Sequence, residues 1–359
     1  MGSDCELPSG SARLDALRHR AANEGIPLHG TLALTHRCNL RCVHCYVLPN
    51  AKSPALELPA ADWLALAREA AEAGCFSILL TGGEPLLRED FAEIYLGIRK
   101  LGMHAMLFTN ATRVDRRILE VLGAAPPRLI EVTVYGASPE TYERVTGRAA
   151  GYNEALRGIS LLRAAGLPVR LKTVLMRGNQ HDFETLRGLA APGEPPLRYD
   201  AAIQPRFPGD ASVAALRVPP AEVAALEARL IPELAGQWRA QRERQSRQKS
   251  AVPDALYACA AGAISFYVSA DGMVQPCVSA VRYGIRYERG GLLRAFRAAR
   301  ESVRALRAPA GYACATCGDK VFCGSCPPVA ELECGQETGQ CTYACALARA
   351  RGRWADSGR

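Results

Sequence analysis

Apolar and polar positions along the first two hundred residues alternate between two periods. Short runs dense in branched and aromatic side chains (31–35, 76–81, 103–109, 129–135, 169–176 and 198–203) are separated by stretches in which apolar residues recur every three or four positions (60–73, 91–101, 116–122, 155–165 and 182–189). The first pattern predicts strands and the second predicts helices. In 60–73, Trp63, Leu64, Ala67 and Ala70 fall on one side, and Gly166 stands where the helix over 155–165 should stop. Strands separated by helices build parallel βαβ units. No dinucleotide-binding glycine fingerprint follows the first strand. The expected class is therefore α/β, a partial (β/α)6 TIM-type barrel. Parallel barrels gather their chemistry at the C-terminal ends of the strands. The candidates fall there: a cysteine loop after the first strand, Gly82-Gly83-Glu84-Pro85 after the second, Thr109-Asn110 after the third and Tyr135 after the fourth.

The rest of the chain reads differently. Residues 1–28 are polar and alanine-rich, with a short helix expected over 11–23, too little for a separate peptide-binding domain. Residues 205–220, rich in Pro, Gly and Asp, form a connection, and 220–247 a long charged helical stretch whose end is a solvated face or linker. Runs at 264–269 and 273–275 flank Ala270-Asp271-Gly272, a hairpin signal, and 292–306 is helical. The expected domains are an N-terminal extension (1–28), a barrel (29–205), a linker and helical segment (206–252) and a cysteine-rich α+β domain (253–359).

Composition narrows the class. The chain has 359 residues, 48% of them hydrophobic, enough for a real core. No apolar run is long enough for a transmembrane helix. Residues 1–10 lack the basic and apolar regions of a signal peptide, so a cytoplasmic location with no membrane partner is expected. Fourteen cysteines in a chain of this size do not suit a small secreted disulfide scaffold. They suit redox-cofactor binding in a reducing compartment. Cys5 and Cys75 stand apart, and Cys75 reads as a buried free thiol. The net charge of +8 comes from arginine in an alanine-rich chain and reads as coding bias. No basic stretch is interleaved with aromatics, so no nucleic-acid partner is expected.

The stretch Thr35-His36-Arg37-Cys38-Asn39-Leu40-Arg41-Cys42-Val43-His44-Cys45-Tyr46 carries three cysteines at C-x3-C-x2-C spacing. Three thiolates on one tight loop suit a [4Fe–4S] cluster, which is held by cysteine sulfur and normally takes four ligands. With three local ligands, one iron stays open to something other than protein. Zinc loops usually pair a C-x2-C with a second pair far away, which this spacing fits poorly. His44 reads as hydrogen-bonding support for the ligands. In Gly82-Gly83-Glu84-Pro85, the glycines let backbone approach a ligand closely, and Glu84 either meets an ammonium group or locks the turn.

Together and in this order, the cysteine loop with its aromatic Tyr46 and the Gly-Gly-Glu-Pro turn resemble the signature of the radical S-adenosylmethionine (radical SAM) family. The resemblance implies that Cys38, Cys42 and Cys45 hold a [4Fe–4S] cluster whose open iron binds the methionine end of SAM. It implies reductive cleavage of SAM to a 5′-deoxyadenosyl radical that abstracts hydrogen from substrate. The implied SAM contacts are Tyr46, Gly82, Gly83, Glu84 and Pro85, with Asn110, Thr133, Lys172 and Asp200 at later strand ends.

The tail reads Cys259-x12-Gly272-x4-Cys277, then Cys314-x2-Cys317-x5-Cys323-x2-Cys326, then Cys334, Cys341 and Cys345. This is similar to the SPASM extension of radical SAM enzymes, with x2 where that family has x3 before the fourth cysteine of the central group. The resemblance implies two auxiliary [4Fe–4S] clusters. Cys314, Cys317, Cys323 and Cys345 would hold the outer one. Cys259, Cys277 and Cys326 would hold the inner one, with Cys334, Cys341 or substrate at its fourth place. A zinc ribbon on the two C-x2-C pairs is the alternative.

The segments 147–177 and Tyr199-Asp200…Gln204-Pro205-Arg206 also look like enzymes that mature ribosomally made peptides (RiPPs). The expected function is hydrogen abstraction from a precursor peptide to install a thioether, C–C or related modification. The expected partners are that peptide, a separate leader-recognition protein and a flavodoxin- or ferredoxin-type electron donor. No substrate base is identifiable. Anaerobic sulfatase maturation is disfavoured because Val278, not an aspartate, follows Cys277. A radical sugar dehydrogenase and a non-catalytic metal-binding protein are the other readings.

Overall fold

The computed structural model describes residues 10–47, 57–207, 209–247, 255–257 and 259–357. Cys5 lies outside them. Six parallel strands carry the barrel: β1 (His29–Thr35), β2 (Ser77–Gly82), β3 (His104–Thr109), β4 (Leu129–Thr133), β5 (Val169–Val174) and β6 (Arg198–Asp200). Each pairs with the next in parallel, and β1 and β6 do not meet, so the sheet is open, as a partial barrel requires. The period of two decides which side chain faces where. In β5, Val169 and Leu171 pack outward into the core, whereas Lys172 and Val174 line the interior. In β2, Ile78 and Leu80 are buried and Leu79 and Thr81 face inward. Low on the inner face, the buried Glu131 is held by Arg170 (2.6 Å) and Arg198 (3.1 Å).

Helix α1 (Gly10–Glu24) precedes the barrel and packs Ala21 with Leu28 and Ile264. Helices cover the outer face: α2 (Ala60–Glu72), α3 (Phe91–Lys100), α4 (Arg116–Ala124), α5 (Pro139–Thr146), α6 (Gly151–Ala164) and α7 (Phe183–Gly188). On α2 the buried stripe is Trp63, Leu66, Ala67 and Ala70; Leu64 is only half-buried. The short α5 was not expected from periodicity. Its signals are local: Ser138 caps it by accepting from the Thr141 N–H, Pro139 opens it and Gly147 closes it at φ 69°.

Two expectations for the later chain are corrected. The helical stretch over 220–247 is two helices, α8 (Pro220–Leu230) and α9 (Pro232–Arg247). Pro232 cannot continue the ladder of the helix before it. The sixth strand ends at Asp200 rather than 203, because the chain leaves the sheet at its free edge. The hairpin strands β7 (Ser265–Val268) and β8 (Met273–Gln275), with β9 (Ile285–Arg286), extend the barrel sheet itself. β7 runs parallel to β1, giving the order β6-β5-β4-β3-β2-β1-β7-β8-β9. Gly30 permits this, since a Cβ there would sit 2.5 Å from the Phe266 ring. Helix α10 (Leu292–Arg304) follows, and the cysteine-rich tail adds α11 (Pro327–Cys334) and α12 (Thr342–Asp356). Arg351 of α12 binds the buried Glu227 of α8 (2.5 Å), which also accepts from Tyr199 of the β5–β6 side (2.8 Å). Among the described residues, no helix is long and apolar enough to cross a membrane.

Candidate functional site

The cysteine loop leaves β1 at the buried Thr35, whose hydroxyl accepts the Arg37 N–H (2.9 Å). Arg37 forks onto Glu57 with two bonds of 2.9 Å. Buried Arg88 reaches the Leu34 carbonyl (2.8 Å) and the same Glu57 (3.4 Å). Leu40 plugs the loop into the core. On the other side, the N–H groups of Arg41 and Val43 donate to the carbonyls of Thr146 (2.8 Å) and Val145 (2.9 Å) at the end of α5. The loop is thus a fixed strap. The Leu40 N–H (3.4 Å) and the Asn110 amide (3.7 Å) point at the Cys38 sulfur, as donors do toward a thiolate.

The Gly82-Gly83 turn needs its glycines for a close approach within the chain itself. Gly82 sits at φ 141°, where a Cβ would strike the Thr35 carbonyl at 2.2 Å; at Gly83 it would strike the Arg37 carbonyl at 2.2 Å. The close approach is to the cysteine loop, and the Gly83 and Glu84 N–H groups bond those two carbonyls at 2.7 and 2.8 Å. Glu84 is fully buried and accepts from Thr109 Oγ1 (2.8 Å), Leu86 N (3.1 Å) and Asn110 N (2.7 Å). Burial pushes its carboxyl up to about 7 against these three donors. These three bonds tie Glu84 to its own turn and to the end of β3.

A cavity of about 960 Å³ opens inside the barrel. Cys38, Cys42, Cys45, Tyr46, Gly82, Gly83, Asn110, Thr133, Lys172 and Asp200 all line it, and Glu84 and Pro85 do not. Lys172 and Asp200 form an ion pair on its wall (2.9 Å). The Asn110 side chain is engaged by Asn39 (3.0 Å) and Thr112 (2.7 Å), which ties β3 to the loop. His44 packs on Tyr135 with ring centroids 5.5 Å apart, and its Nδ1 has no partner among the described residues. Burial, then the nearby Lys172 and Arg206 cations, push it down to about 4, so it is neutral at pH 7. Cys277 and Val278, just past the hairpin, also line the cavity. Cys75 is buried at the other end of β2 with its thiol on the Leu28 and Ser77 carbonyls.

The tail thiols fall into three neighbourhoods. Burial raises the Cys323 thiol, with Cys314 and Cys317 beside it; burial also raises Cys345, beside Cys323, Cys314 and Cys317. Burial pushes Cys326 up to about 11, with Cys277, Cys259 and then Cys323 nearby, so this neighbourhood adjoins the first. Cys334 and Cys341 face one another across the turn between α11 and α12, and Cys341 accepts from the Ser325 hydroxyl (3.1 Å). Among the described residues, no three His, Cys, Asp or Glu side chains close on one point as a bound metal would hold them. The fit to iron–sulfur groups rests on donor chemistry and grouping: soft sulfur ligands in sets of three or four.

The supports of the loop were not legible in the sequence. Glu57 and Arg88 carry no motif and meet the loop only through the fold. Helix α5, whose end straps the loop, was signalled by Ser138-Pro139.

Residues 32–190 match the model of the Radical SAM superfamily, and this part of the chain is a radical SAM domain. It is 34% identical over 162 residues to the AdoMet-dependent heme synthase of Methanosarcina barkeri, covering 44% of this chain and 46% of that protein. It is 32% identical over 158 residues to the PqqA peptide cyclase of Granulibacter bethesdensis, covering 44% and 42%. The chain thus spans under half the length of these curated relatives. Among solved structures, Streptococcus suis SuiB bound to precursor peptide SuiA superposes with a TM-score of 0.66 at 15% identity, covering 96% of this chain and 82% of that one. Native anSMEcpe with bound AdoMet and Cp18Cys peptide gives 0.66 at 15%, covering 92% and 97%. These two likenesses show the fold.

Proposed function

We propose that the chain is a radical SAM enzyme that abstracts hydrogen from a ribosomally made peptide to install a thioether, C–C or related modification. The carrying observation is one cavity lined by all three cysteines of the loop and by Cys277 of the tail. It falls near the top of the usual range for ligand pockets, which suits SAM together with part of a second molecule. Cys38, Cys42 and Cys45 would hold a [4Fe–4S] cluster, which when bound supplies the electron for reductive cleavage of SAM to 5′-deoxyadenosine. The backbone at Gly82-Gly83 would meet the methionine end of SAM. Thr133, Lys172 and Asp200 would take its polar groups, with Tyr46 closing the site. Asn110 serves by holding the loop. Glu84 and Pro85 serve by shaping the turn.

In the tail, Cys314, Cys317, Cys323 and Cys345 would hold one auxiliary cluster, and Cys259, Cys277 and Cys326 another, as in a SPASM domain spanning 253–359. Cys334 and Cys341 are the spare pair. A flavodoxin- or ferredoxin-type donor, a separate leader-recognition protein and a cytoplasmic setting complete the reading. The similarity to peptide cyclases over the barrel supports a peptide substrate. Val278 lines the cavity where sulfatase-maturing enzymes would carry an aspartate, which disfavours that chemistry. The similarity to heme synthase favours one rival, a porphyrin substrate. Anaerobic enzyme with dithionite and SAM is assayed for 5′-deoxyadenosine with the peptide encoded beside this gene and with an iron porphyrin. Stimulation and a mass change of the peptide support the proposal; stimulation by the porphyrin alone overturns it.

A further inference from the structure

We infer that Arg206 is a positioning residue that locks the three-cysteine loop in its ligating shape and sets its electrostatics. This rests on the proposed radical SAM reading. The loop must present three sulfurs at fixed spacing, yet beyond Cys42 its own backbone bonds are few. The turn after β6 supplies the missing restraint. Arg206 Nη2 donates to the Val43 carbonyl (2.7 Å) and its Nε to the Cys45 carbonyl (3.2 Å). One guanidinium thus spans the segment carrying the third cysteine, more than 160 residues away in sequence. The next residue repeats the contact: the Phe207 N–H donates to the Tyr46 carbonyl (3.1 Å), and the two rings meet edge to face at 5.3 Å.

The clamp is itself held. Arg206 Nη1 binds Asp210 Oδ2 (2.9 Å) and Ser212 Oγ (3.0 Å), and the backbone bridges 206 to 210. Arginine suits this task because its planar fork presents several donors in a fixed geometry, whereas lysine offers a compact point charge on a flexible stem. A fixed cation bonded to the Val43 and Cys45 carbonyls favours the more negative, reduced state of any group the loop holds.

The test uses reconstituted full-length R206Q, R206K and D210N. The readouts are the SAM-dependent change in the electron paramagnetic resonance spectrum, which reports only the cluster that meets SAM, and the midpoint potential of that cluster. R206Q is expected to weaken SAM binding about tenfold, the cost of losing a charge-assisted fork, and to make the potential more negative. R206K should restore the potential but not the binding. D210N, which touches no loop atom, should give a partial binding loss. Wild-type protein with a SAM-dependent spectrum and R206Q identical to it in both readouts would overturn the inference. No SAM-dependent spectrum in the wild type would instead defeat the functional reading beneath it.

Discussion

At the scale of single residues, the site is built by atoms that hold a loop, and two substitutions expose this. Gly82→Ala and Gly83→Ala each place a Cβ 2.2 Å from a carbonyl of the cysteine loop. The expected cost is on the order of 3 kcal/mol or more, because backbone rather than side chain must move. It should show as a lowered unfolding midpoint together with poor iron retention. Glu84 gives a pH signature. Its folded carboxyl is raised from 4.5 to about 7, so the folded state binds more protons between these values. Its contribution to stability is complete below about pH 4.5 and is lost as pH rises through about 7. Denaturation of wild type and Glu84→Gln at pH 6 and 8 should show the wild type losing more stability over that interval. An equal pH response would remove Glu84 from the account. The identity of Cys38, Cys42, Cys45 and the Gly-Gly-Glu-Pro turn was readable in the sequence because ligand chemistry fixes their spacing. What the glycines and Glu84 touch was not, because their neighbours are set by the register of β1 against β2.

At the scale of elements, periodicity recovered all six barrel strands, since each carries one face into the core. It missed α5, α11 and α12. Helix α5 spans only Pro139–Thr146, and α11 ends in Cys334 with Gly335 just beyond it, so few turns remain in which a stripe can show. It also missed that the hairpin joins the barrel sheet, because pairing between residues 29–32 and 265–268 leaves no local mark. One carboxylate secures that junction from outside. Glu69 of α2 accepts from Tyr287 (2.6 Å) and from the Gly290 (2.7 Å) and Leu292 (2.8 Å) N–H groups at the start of α10. Glu69→Ala should cost about 2 kcal/mol through these unmade bonds. Hydrogen exchange should quicken at the first turn of α10 and not in β3 to β5.

At the scale of the whole molecule, one continuous sheet carries the three-cysteine loop at the end of β1 and Cys277 just past β8, so both face the same cavity. The proposed ligand sets leave Cys334 and Cys341 without a cluster. Cys334→Ser with Cys341→Ser should leave the iron content unchanged, whereas Cys326→Ser should lower it by about four atoms, one cluster's worth. The most direct test counts iron and sulfide per chain after anaerobic reconstitution, then adds dithionite and SAM and measures 5′-deoxyadenosine. The account predicts about twelve irons, three clusters' worth, and SAM cleavage that vanishes in Cys42→Ala. Zinc in place of iron, with no cleavage of SAM, would contradict it.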